Sequence, residues 1–156
     1  MFGNRKKKLA QRMIAGVDAI KLTIYQIIIT SLSDKYPDKG RDFSGGLAAA
    51  TVNDIYGCHN QDTKKTFQDN QEIIETEITN LATTNPDLKQ PITDSLRVFV
   101  QANQMLGSPS MNDMEFVTGL FQKATDRGLF IKGGDAPNPD TFLPMASEVA
   151  RKYGVR

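Results

Sequence analysis

From Leu9 to Tyr36 the chain reads LAQRMIAGVDAIKLTIYQIIITSLSDKY, its most apolar long segment, and no other stretch constrains the fold as tightly. Leu9, Met13, Val17, Ile20, Ile24, Ile27 and Ile28 recur at helical steps of three and four. A second stripe of Leu22, Tyr25, Ile29, Leu32 and Tyr36 starts on another face. A helix apolar on two faces needs neighbours on both, so Ile20–Leu32 is expected to be the central core element. Drawn as a straight helix, Leu9–Tyr36 is about 42 Å long. A compact domain of this chain length has a radius of gyration of only about 15 Å. The stripe Leu9, Met13, Val17 therefore overhangs. It is expected to kink back at Gly16 or to pack on a second copy, giving a homodimer through the first helix.

Punctuation divides the remainder. Pro37-Asp38-Lys39-Gly40 stops the first helix. A second is expected from Ser44 to Gly57, with Leu47, Ala48, Thr51, Val52 and Ile55 inward and Gly57 in the left-handed closing position. A third runs from an Asp62 cap to about Thr83 on a narrow seam of Phe67, Ile74, Ile78 and Leu81, widened by Ile73, and Asn85-Pro86 ends it. A fourth spans Leu88–Leu106 with Ile92, Leu96, Phe99, Val100 and Leu106 inward. Pro91 demands that it start near Gln90, or that Asp87–Gln90 form a separate turn. Ser110-Met111-Asn112-Asp113 spells a capping box that opens a fifth, whose inward residues are Met114, Val117, Leu120, Phe121 and Ala124 and whose C-cap is Arg127-Gly128. After the loop Ile131–Pro139 comes a last helix, Thr141–Tyr153, with Pro144 read as first-turn and Phe142, Met145, Val149 and Tyr153 buried. No stretch alternates as a half-buried strand does. The expected fold is all-α, a bundle of five or six helices around a long, largely buried first helix. Residues 1–8 are read as a flexible basic N-terminus and 9–156 as one helical domain.

Composition narrows the function classes. A net charge of +1 over 156 residues argues against a strongly basic nucleic-acid binder. Cys58 is the only cysteine, which excludes an internal disulfide framework and fits a reducing, cytoplasmic setting. The basic start followed by an apolar helix superficially resembles a signal or anchor. Gln11, Arg12, Asp18, Lys21 and Gln26 interrupt the run, and it is read as soluble.

Few residue groups suggest chemistry. His59, the only histidine, adjoins Cys58, but chain neighbours point different ways and are poorly placed as base and nucleophile. No further soft ligands are present for zinc, and no Glu-x-x-His pair for a ferritin-like centre. Glu72 and Glu75 share a helical face but read as solvated, so no catalytic residue, metal or cofactor is expected. The turn Lys39-Gly40-Arg41-Asp42-Phe43-Ser44-Gly45-Gly46 is the most suggestive loop. Glycines at a helix start expose N–H groups to an anion, so Lys39, Arg41, Ser44, Gly45 and Gly46 form a weak candidate anion site. Arg5, Lys6, Lys7, Lys8 and Arg12 are candidates for touching phosphates of nucleic acid or anionic lipid. Asp18 and Lys21 are expected to pair on the surface.

Three functions of different classes follow. The first, and the one preferred, is a non-catalytic helical protein working through protein contacts, as adaptor, regulator or complex subunit. The second is a nucleic-acid or membrane-surface accessory using the basic start. The third is a small-anion or ligand binder, or an enzyme, with its site between helices.

Overall fold

The structure, a computed structural model, describes residues 2–155 and is all α, with seven helices and no strand among the described residues. The helices are α1 (Phe2–Lys35), α2 (Arg41–Tyr56), α3 (Gln61–Asp69), α4 (Gln71–Thr84), α5 (Lys89–Met105), α6 (Met114–Asp126) and α7 (Pro139–Lys152). Single 3-10 turns at Pro37–Lys39 and Pro86–Leu88 lead into α2 and α5. Met1 and Arg156, the outer ends of the two ranges read from the sequence, lie outside the described residues.

The first helix is the axis of the bundle: α2, α4, α5 and α7 all pack on it. Its buried stripe is Ala10, Met13, Val17, Ile20, Ile24, Ile28 and Leu32, none more than 1% exposed. Burying each large aliphatic side chain in that row contributes roughly 1.5–3 kcal/mol. The second stripe is only partly covered. Tyr25, Ile29 and Tyr36 are half-buried, and Leu22 is 52% exposed. Leu22 marks a side of α1 that the bundle leaves open.

The expected overhang is absorbed within the chain. The helix starts at Phe2, so the basic residues form its first turns, and it continues through Gly16 without interruption. There α7 lies against it. A Cβ on Gly16 would come 2.6 Å from Cε2 of Phe142, so the missing side chain admits the aromatic ring. Phe142, Ala146 and Ala150 bury α7 on α1.

Several boundaries differ from expectation for local reasons. The third expected helix is two, because Asn70 leaves helical geometry (φ −130°, ψ 29°). Its Nδ2 donates to the Thr66 carbonyl at 3.0 Å and its own N–H bonds both Thr66 and Phe67. A side chain competing for backbone partners in this way ends a helix. The fifth opens at Asp113, whose carboxylate accepts from the amides of Glu115 and Phe116, rather than at Ser110. That shift leaves Met114 66% exposed instead of inward, and Leu106, past the end of α5, is 47% exposed. Helix α7 begins at Pro139, so Pro144 falls inside it. Pro144 is itself exposed. Helix α5 starts at Lys89, one residue from Gln90, which puts Pro91 in its first turn, and the turn ahead of it is Pro86–Leu88 rather than Asp87–Gln90.

Helix α3 is short and buries nothing fully, so its cap matters. Asn60 accepts from the Thr63 amide at 2.8 Å while Thr63 Oγ1 accepts from the Asn60 amide at 3.1 Å, a reciprocal capping box. Asn60→Ala is expected to cost about 1 kcal/mol in urea unfolding, with exposed Lys64→Ala near zero. Equal losses at the two positions would remove the cap as the cause.

Candidate functional site

The densest polar grouping converges on Asp54, 7% exposed near the end of α2. Gly57, in the left-handed conformation (φ 64°), reverses the chain and returns His59 to Asp54. His59 Nε2 lies 2.9 Å from Asp54 Oδ1, and Nδ1 lies 3.0 Å from Thr63 Oγ1. From α6, Lys123 Nζ approaches Asp54 Oδ2 to 3.3 Å. Arg127 Nη2 donates to Glu75 Oε1 of α4 at 2.5 Å and lies equally close to Asp54 Oδ2, as a charge contact without an aligned N–H. Burial pushes the Asp54 carboxyl up, but the His59 hydrogen bond and the charges of Arg127 and Lys123 outweigh it and hold it below the usual range.

Thr63, His59 and Asp54 thus stand in the order hydroxyl, imidazole, carboxylate that nucleophilic hydrolases use. The hydroxyl, however, already accepts from the Asn60 amide at 3.1 Å and from Asn53 Nδ2 at 3.3 Å. With both lone pairs engaged, Thr63 is not presented as a free nucleophile. The cluster joins α2, α3, α4 and α6.

Other polar groups are likewise engaged. Cys58 is half-buried, burial raises its thiol pKa, and Lys21 Nζ sits 3.9 Å from its sulfur. Lys21 does not pair with Asp18. It lies 4.6 Å from the Phe99 ring centroid and 5.1 Å from that of Tyr56. Glu77, 2% exposed, accepts from Ser31 at 2.9 Å and from Lys35 at 2.8 Å. Glu72 and Glu75 do not converge, since Glu75 faces Arg127. No group of carboxylate, His or Cys side chains among the described residues is arranged for a metal ion.

The residues of the expected anion site are dispersed. Because α2 starts at Arg41, Gly45 and Gly46 lie in its second turn, where amides bond to carbonyls four residues back. Gly45 serves close packing instead: a Cβ there would come 3.2 Å from the Tyr25 hydroxyl. Ser44 is fully buried, and Lys39 Nζ lies 6.0 Å from the Phe43 ring centroid. Arg41 alone lines a concavity, an open polar one along α1 of about 380 Å³ that Asp34 also borders. Of the basic start, Arg5, Lys6, Lys7 and Lys8 are exposed and make no ion pair among the described residues, whereas Arg12 pairs with Asp140 at 2.9 Å. Met13 and Val17, expected to face a second copy, are covered by the chain's own packing, and Leu9 is half-buried.

An open groove of about 550 Å³ lies where α1 meets the end of α7. Ala15, Ala19 and Leu22 of α1 and Ala150 and Val155 beside them give it an apolar floor. Asp18 and Arg151 supply the charges at its rim. No family model, curated protein or solved structure matches this chain.

Sequence reasoning missed both features. The Asp54 cluster had one signal, the step of four between Lys123 and Arg127, which puts two bases on one side of the end of α6, where Arg127 is the C-cap. The groove had another, the sequence Ala15, Asp18, Ala19, Leu22 at steps of three, one and three, a third stripe round the same helix.

Proposed function

We propose that this protein works through contacts with other proteins, as an adaptor, regulator or complex subunit, without performing chemistry of its own. The observation that carries the reading is the contrast between two kinds of surface. Asp54, His59, Glu77, Arg127 and the Cys58 thiol are turned inward and tie helices together. The groove between α1 and α7 is open, apolar and rimmed by opposite charges, a form that suits a docking surface. A half-buried, protonated thiol agrees with a reducing, cytoplasmic setting. By length and composition α1 would also pass as a membrane-crossing helix, but its most apolar row is the core of the bundle.

Fractionation of extract from cells producing the chain tests this reading. The wild type is expected in an assembly heavier than its own 17.3 kDa, and Leu22→Lys is expected to release it with the thermal midpoint unchanged. Migration as a free chain in both cases, or an assembly indifferent to Leu22→Lys, would remove the groove from the function.

A second reading has its own observation. Arg5, Lys6, Lys7 and Lys8 project from the start of α1 without acidic partners. They suit contact with nucleic acid or an anionic membrane surface. Binding that weakens steeply with salt and disappears when the four are replaced by glutamine would favour it.

A further inference from the structure

The groove between α1 and α7 has features that point to its occupant, and the inference rests on the protein-contact reading above. Ala15, Asp18, Ala19 and Leu22 occupy one face of α1, and Leu22 stands out of it with half its surface in water. The floor beside it is made of small side chains, Ala19 and Ala150 among them, which leave room for a projecting aliphatic group. The charges have an equally simple arrangement. Asp18, on α1, makes no ion pair or side-chain hydrogen bond among the described residues. Among the described residues Arg151, on α7, pairs with Glu148 one turn away, at 3.0 Å, with both side chains more than 70% exposed. An exposed pair of that kind is weak and exchanges readily for a better partner.

We infer that the groove is filled by a second copy of this chain, related by a two-fold axis. Such an interface uses the same patch twice, so it must be complementary to itself. This patch meets that requirement in shape and in charge. It carries one projecting residue and one recess, and one acid and one base on opposite helices. An axis through the groove lays α1 of each copy over α7 of the other. Leu22 then enters the partner's small-residue floor, and Asp18 faces the partner's Arg151, twice over. The homodimer expected from the sequence is thereby retained, but on a different face from Leu9, Met13 and Val17.

Sedimentation equilibrium of the purified full chain decides between the occupants. The wild type is expected to weigh twice 17.3 kDa at tens of micromolar, and Leu22→Lys to sediment as a monomer with unchanged far-ultraviolet circular dichroism. Asp18→Lys and Arg151→Glu are each expected to weaken the dimer about tenfold, the effect of two lost rim pairs. The double exchange, Asp18→Lys with Arg151→Glu, is expected to restore it to within about threefold of wild type, a recovery that generalised destabilisation does not produce. A wild-type monomer at 100 micromolar, or a dimer that Leu22→Lys leaves intact, overturns the inference. If the purified chain is monomeric while Leu22→Lys still dissolves the cellular assembly, the dimer fails and the protein-contact reading stands, with a different protein in the groove.

Discussion

Phe142→Ala is expected to lower the unfolding free energy by about 3–5 kcal/mol, the range for removing a fully enclosed aromatic ring. Phe142 is 1% exposed, and it is the only large side chain of α7 that is fully buried. Ala146 and Ala150 are small, and Met145 and Val149 are half-covered. The ring lies against Gly16, so its loss opens a void next to bare backbone that no neighbouring side chain on α1 can fill. The effect should be concentrated in α7. Amide exchange there is expected to accelerate more than in α5, which keeps its own contacts with α1. Gly16→Ala approaches the same contact from the other side. The added methyl favours helix by about 1 kcal/mol but collides with the ring, and overpacking costs about 1–3 kcal/mol. A net loss is expected in the single variant and a smaller one, or none, once Phe142 is already alanine. Urea titrations of the two singles and the double measure this directly. A Phe142→Ala loss below about 1 kcal/mol would mean that α7 is not anchored at Gly16.

The comparison between pattern and structure is instructive at particular residues. Ile20, Ile24, Ile28 and Leu32 were legible because a helix packed on one side writes its burial as a period of 3.6, and that information is local. The inward face of α2 was legible for the same reason: Leu47, Ala48, Thr51, Val52 and Ile55 are all buried. Met114 and Leu106 were misplaced because periodicity cannot say where a helix stops. Met114 is the first residue of α6, directly after the Asp113 cap, and Leu106 is the first residue past the end of α5. The overhang failed differently. Length arguments set α1 against the longest remaining helix, but α7, a helix of only 14 residues, lies beside the N-terminal half of α1, with Phe142 against Gly16 and Asp140 paired to Arg12. The Asp54 cluster is the least legible feature. Its members come from α2, α4, α6 and a reversed link, and nothing in the spacing of Asp54 from Arg127 records that they meet.

That cluster gives the other large effect. Arg127→Ala is expected to cost about 3 kcal/mol at pH 7, the lower end of the range for taking one partner from a buried charge that keeps others. Asp54, with a side chain only 6% exposed, would retain His59 and the half-exposed Lys123. The pH dependence separates this cause from lost packing. Asp54 titrates below its ordinary value of 3.8 in the folded protein. In that interval the unfolded chain binds the proton and the folded one does not, so stability rises with pH. The contribution is fully present above the ordinary value and is lost as pH falls through the lower folded one. Removing Arg127 takes away one of the charges that depress the Asp54 pKa, so the acid loss should begin at higher pH in the variant. Once the carboxyl is protonated in both proteins, no buried charge is left stranded, and the gap between wild type and Arg127→Ala should narrow. Denaturant titrations of the pair at neutral pH and at a series of acidic values test both statements. A gap that stays constant down to the acid transition would assign the effect to the arginine's aliphatic stem, and one below about 1 kcal/mol at neutral pH would make the contact to Asp54 incidental.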